Sequence, residues 1–182
     1  MAIKTASGSD LRNSLSSGLV LLNTTSFSAV ASQSINDVFS ATYRNYRIVI
    51  TGTGTADEAF NFRFRVGGAD ASGSEYWFGF MFIAFNSATY QAPTVGENAT
   101  ALTFGELARS TNCIILDVSG PFLAATTSLN GQMSFSRGTS TGQARTFQGG
   151  CFHDLATSYT GFTFFPTTGT MTGDVSVYGY AK

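Results

Sequence analysis

The sequence predicts an all-β fold, a single-domain, jelly-roll-like antiparallel β-sandwich with an N-terminal arm. Three observations point there: short segments of β-branched and aromatic residues recur along the chain, clusters of Gly, Ser, Thr and Asn separate them, and no segment of helix length is amphipathic. A length of 182 residues fits one hydrophobic core. No internal repeat of fixed period is present, and a two-sheet arrangement of about eight core strands is the natural solution at this size.

Residues 1–17 are small and polar and show no periodicity. A segment with no core of its own orders only against something else, so 1–17 is expected to be a docking arm lying on a neighbouring subunit, and 18–182 the sandwich domain. The apolar run Leu19-Val20-Leu21-Leu22 is followed at once by Asn23-Thr24-Thr25-Ser26. That is too short for a signal core of about 7–15 residues, so the start is expected to be unprocessed. Gly18 to Asn23 reads as a short strand, and Thr25 to Val38 alternates weakly.

Tyr43 to Thr51 is rich in β-branched and aromatic residues and reads as a strand ending at Gly52-Thr53-Gly54. Phe60, Phe62, Phe64 and Val66 alternate with Asn61, Arg63 and Arg65, the cleanest period of two in the chain. One face is core and the other carries two arginines. Gly67-Gly68 opens a loop to Ser74. Tyr76 to Phe85 is apolar on both faces, which requires a cover on each side, and a second subunit is the expected cover. The candidate oligomer or docking interface is therefore Tyr76, Trp77, Phe80 and Phe82, joined by Arg63 and Arg65. This stretch falls short of the roughly 20 residues of a membrane helix, and no membrane contact is expected.

Asn86 to Thr100, interrupted by Pro93, reads as a polar loop, and Glu106 to Arg109 as one helical turn. Cys113 to Val118 and Gly131 to Arg137 read as strands, with a turn over Gly138 to Gly142. Ala144 to Gln148 and Cys151 to His153 are separated by Gly149-Gly150, which reads as a bulge or corner. The final segments, Phe162 to Phe165 and Asp174 to Tyr180, flank a connection rich in Pro, Gly and Thr and read as a β-hairpin. The last strand is expected beside Tyr46 to Thr51.

Charged residues make up only 12% of the chain, about half the usual share of roughly 25%. Ten Lys and Arg against eleven Asp and Glu leave no field to attract nucleic acid. A near-neutral, hydroxyl-rich surface suits packing against copies or a neighbour. Cys113 and Cys151 are expected to be buried and free. The single histidine, His153, lies beside Asp154 and two residues from Cys151, but no Gly-x-Ser-x-Gly elbow offers a nucleophile. Cys151-x-His153 lacks the paired spacing of zinc sites, and the adjacent carboxylates Asp57 and Glu58 point apart in an extended chain. No catalytic residue, cofactor or metal is assigned, and the chain is not expected to be an enzyme. Exposed Tyr and Trp beside Asn and Gln leave a glycan ligand open.

Two stretches carry a resemblance. The segment Asp37 to Ile50, with Phe39-Ser40-Ala41-Thr42-Tyr43-Arg44-Asn45-Tyr46-Arg47-Ile48 at its centre, resembles the F-S-x-x-Y-x-N-Y-x-I segment of a group of small tailed-bacteriophage virion proteins, and Gly169-Thr170-Met171-Thr172-Gly173 with Val175 to Gly179 is similar to their closing G-T-M-T-G … V-x-V-Y-G hairpin. The resemblance implies a β-sandwich head-surface or tail protein and carries over no catalytic residue. The expected role is a surface-exposed virion structural protein, assembled in the host cytoplasm and docking through the arm. Capsid decoration is ranked first and a tail-fibre or receptor-binding protein second. Expected partners are two further copies in a trimer and the major capsid protein or tail proteins. A secreted carbohydrate-binding module is the alternative from another class.

Overall fold

The computed structural model describes residues 18–86, 90–137 and 144–181. The 1–17 arm and the turn over 138–142 lie outside the described residues. Thirteen strands and no helix are found among those described, and every pairing is antiparallel.

The strands are β1 Leu19–Val30, β2 Gln33–Ile35, β3 Asn45–Gly54, β4 Glu58–Val66, β5 Ala69–Asp70, β6 Tyr76–Ala84 and β7 Tyr90–Ala99, followed by β8 Leu102–Leu107, β9 Asn112–Ser119, β10 Thr127–Ser136, β11 Ala144–His153, β12 Gly161–Pro166 and β13 Met171–Tyr180. Eight form one sheet in the order β1-β13-β3-β9-β10-β11-β6-β7, and five form the other, β2-β12-β4-β5 with β8 also on β4. The two-sheet antiparallel domain expected from the strand pattern is what forms, with more strands than the eight or so anticipated.

An aromatic layer joins the sheets. Phe60, Phe62 and Phe64 of β4 and Phe162 and Phe164 of β12 are buried, because the period of two sends alternate residues inward. They meet the large sheet ring to ring: Phe164 on Phe27 at 5.4 Å, Phe64 on Tyr76 at 6.4 Å. Phe104 of β8 packs edge-on to Phe80 at 4.7 Å.

β3 pairs with β13 from Tyr46↔Gly179 to Gly54↔Met171, so the last strand lies where the sequence placed it. The two stretches that carry the resemblance are neighbours and interlock. The Tyr46 hydroxyl accepts from the Ser40 N–H at 2.7 Å and donates to the Ser40 carbonyl at 2.8 Å. Phe39 packs on Tyr46 at 4.7 Å. Tyr43 covers Gly179, where a Cβ would come within 2.5 Å of the Tyr43 ring.

Several local expectations are corrected. Residues 19–30 form one strand, not a short strand and a weak one. β12 and β13 are not a hairpin: β12 is bonded on both sides by β2 and β4, and β13 by β1 and β3, so neither offers the other a free edge. The connection instead crosses between sheets, held by Thr167 N–H to the Ala59 carbonyl and by Thr55 N–H to the Thr170 carbonyl. Most of 86–100 is β7. It is an edge strand, where a missing ladder donor at Pro93 costs little, and its register shifts between Thr94 and Gln91. Gly149-Gly150 make no corner, because β11 pairs without interruption on both β10 and β6. Gly52 to Gly54 continue β3 against β13. Glu106 and Leu107 belong to β8, and the turn after it is held by the buried Asn112 side chain, which accepts from the Ala108 N–H at 2.9 Å and donates to the Ala108 carbonyl at 2.8 Å. Gly67-Gly68, at φ 59° and 78°, form the two-residue turn between β4 and β5, a geometry that favours glycine at both positions.

Candidate functional site

His153 ends β11 and faces the core, fully buried. Its ring lies edge-on to Tyr76 at 4.3 Å and Tyr159 at 5.2 Å, with Nδ1 3.3 Å from the Tyr159 hydroxyl. Burial lowers its pKa, against the opposing pull of Glu75 and Asp154. Asp154 is exposed, so the adjacent carboxylate and the imidazole do not share a solvent-facing site. Burial pushes the Cys151 thiol up to about 12. Cys113, expected inside, is exposed on the outer face. Among the described residues no group of three or more His, Cys, Asp and Glu is placed to hold a metal.

The candidate interface residues separate. Tyr76 and Phe80 are core, not surface: Tyr76 donates to the Ala71 carbonyl and accepts from the Phe64 N–H, both at 2.9 Å. Phe82 is half-buried on the same inner side, stacked on Phe147 at 4.8 Å. The second layer that β6 requires is thus supplied for these residues by the small sheet and β8. Arg63 and Arg65 lie on the outer side of the small sheet and are engaged within the chain. Arg65 pairs with Asp70 and donates to Thr163 Oγ1 at 2.8 Å, and Arg63 donates to the Thr100 carbonyl at 2.9 Å and lies over the Phe165 ring. Only Trp77 points outward from β6 among the six, at 37% exposure.

Around Trp77 the outer face of the large sheet forms a trough. One register line crosses six strands: Arg47↔Asp117, Asp117↔Asn130, Asn130↔Gly150, Gly150↔Gly79, Gly79↔Val95. Its floor carries no side chain at Gly150 and Gly79; the space over Gly79 is open, while at Gly150 the Asn130 Oδ1 would lie 3.1 Å from a Cβ. Two residues away along the strands, the pair Phe152↔Trp77 makes one wall and the pair Gln148↔Met81 the other. Strand rise puts the wall Cα atoms about 13–14 Å apart. Two adjoining depressions, of about 560 and 440 Å³, share Asn130 and Gly150.

Arg47 closes one end of this line. Its Nε and Nη2 donate to the two Asp117 carboxylate oxygens at 2.8 and 2.7 Å, and the Tyr180 hydroxyl donates to Asp117 at 2.7 Å. The hydrogen bonds from Arg47, then those from Tyr180, hold the Asp117 carboxyl below its ordinary pKa against partial desolvation, and Asp117 raises that of Arg47. The pair is a fixed, internally neutral unit.

Sequence reasoning found Trp77 and missed the rest, because the lining comes from strands far apart in the chain. The signal that was present is glycine inside strong strands, read as interruption at Gly149-Gly150 and passed over at Gly79. No family model matches the chain, and no curated protein and no solved structure is significantly similar to it.

Proposed function

We propose that this chain is a non-enzymatic structural protein of a tailed-phage particle, exposed on the particle surface, with capsid decoration as its first placement and a tail-fibre or receptor-contacting position as its second. The observation that carries this reading is the interlocking of residues 39–48 with 169–179, whose strands β3 and β13 pair as interior neighbours in the large sheet. The two stretches that carry the resemblance are thereby parts of one structural unit.

Docking is supported at the β1 edge. Leu19, Val20 and Leu21 are 42%, 36% and 56% exposed on an edge strand, and only Gly18 separates them from residues 1–17. An exposed apolar edge is a template for a partner. A partner that binds only the assembled shell shifts the equilibrium towards assembly, which is how decoration would stabilise a head. A closed trimer is the expected assembly of this chain.

The test is electron microscopy of purified particles carrying a labelled copy of the chain. Label on heads supports decoration, label on tails selects the second placement, and label absent from particles overturns the virion reading.

A further inference from the structure

The outer face of the large sheet is a binding site for a neutral glycan, we infer, with Gly79 and Gly150 as its floor and Trp77 and Phe152 as its aromatic wall.

The floor is the first argument. Glycine inside a strand weakens it, and where it occurs it often marks close approach of a ligand or another backbone. At Gly149 the fold itself demands glycine, since a Cβ there would lie 2.2 Å from the Gly79 carbonyl. Gly79 is different. A Cβ there would meet only Val95 Cγ1, at 3.9 Å, and its φ lies outside the left-handed range. Neither packing nor backbone conformation requires glycine at 79. What its absence of a side chain does is leave a gap between two walls.

The walls and the line beside them supply the chemistry. Trp77 and Phe152 are 37% and 43% exposed and are cross-strand partners. They present flat apolar surface at the low entropic cost of two side-chain torsions each. The amides of Asn130, Gln132 and Gln148 lie on the same outer face, and none of them is engaged by another protein group among the described residues. Each primary amide is both donor and acceptor, as is each hydroxyl of a sugar. A protein partner with an apolar contact surface would leave these amides buried without partners, at roughly 1–3 kcal/mol each. A glycan satisfies them while its C–H faces cover the rings.

Charge selects a neutral ligand. Arg47 and Asp117 cancel one another, and Glu97, which borders the Trp77 side, is the remaining charge among the lining residues. A sialylated or sulfated glycan would meet that carboxylate without an unpaired cation to offset it. Binding of a neutral glycan should therefore change little with salt.

This inference does not depend on where the chain sits on a particle, and its test uses the intact isolated protein. The protein is applied to an array of immobilised neutral and anionic glycans, and the strongest neutral ligand is then titrated in solution by calorimetry. Trp77→Ala and Asn130→Ala are each expected to weaken binding roughly tenfold or more. Gly79→Val, which places a β-branched side chain in open space on a strand, is expected to abolish binding with the thermal midpoint preserved. Asn130→Ala guards against misfolding in the glycine variant, since that side chain holds nothing in the fold. Absence of any neutral glycan binding, preference for anionic glycans, or binding indifferent to all three substitutions overturns the proposal. Protection of Trp77 by a virion protein, with no glycan bound, would assign the trough to a protein interface instead.

Discussion

Tyr46 shows how one side chain fixes a segment that has no regular structure. Its hydroxyl both donates to and accepts from the backbone of Ser40, so the five residues between them close into a loop against a buried ring. Tyr46→Phe keeps the ring and orphans the Ser40 N–H, and a loss of about 1–3 kcal/mol in denaturant unfolding is expected. A change below about 0.5 kcal/mol would mean that water replaces the hydroxyl. The pattern of Phe39, Ser40, Tyr43 and Tyr46 was visible in the sequence, but its reason was not: Tyr43 is needed to cover Gly179, more than a hundred residues away. His153 makes a second prediction at this scale. Burial lowers its pKa in the fold, while the unfolded imidazole titrates near its ordinary value of about 6.5. Below that pH the unfolded chain binds more protons than the folded one, so stability is full above about pH 6.5 and declines as the pH falls below it. The charged groups Glu75 and Asp154 reduce this effect without reversing it. His153→Phe keeps a ring between Tyr76 and Tyr159 and should flatten the slope of stability against pH between about 6.5 and 5. An unchanged slope would assign the acid sensitivity to other groups.

Among the elements, β4, β9 and β10 were legible because one face is core and the other water, which writes a period of two into the residues themselves. β7 was not, since Pro93 breaks that pattern where the register on β6 shifts, and β11 was legible only as two pieces, since Gly149 and Gly150 break the pattern while the backbone ladder continues through them. The partners of β12 and β13 were obscured for another reason. Two strands joined by a turn-rich connection look alike whether they pair with one another or enter different sheets, and only the bonding on their outer edges decides. β13 lies between β1 and β3, and Val175 and Val177 are fully buried. Ending the chain at Thr170 removes an interior strand, strips β1 of its partner in the sheet and exposes the β3 ladder. The shortened chain is expected to show no cooperative thermal transition by circular dichroism. A cooperative transition near that of the full chain would mean that the small sheet and the remaining strands form a domain alone.

At the scale of the whole molecule, the large sheet carries uncovered apolar residues, among those described, towards opposite edges: Leu19 to Leu21 on β1, and Trp77, Met81, Phe152 and Val95 on β6, β11 and β7. None of this separation is legible along the chain, because strand order in the sheet is not strand order in sequence. The trough draws on residues from Arg47 to Phe152, and only register brings them into line. The arrangement lets one edge dock while the other stays open to solvent, and the two can be tested apart. Leu19→Ser with Leu21→Ser changes exposed side chains at an edge and should leave the thermal midpoint within a few degrees. If β1 is the docking edge, incorporation of that variant into particles, measured by quantitative blotting of purified particles, falls at least roughly tenfold, the equivalent of about 1.4 kcal/mol. Trp77→Ala should incorporate as the unmodified chain does, because its edge is remote from the contact. If the Trp77 variant is the one excluded from particles, the polarity is reversed: β6, β7 and β11 would form the docking face, and the trough would be closed by the neighbour it binds.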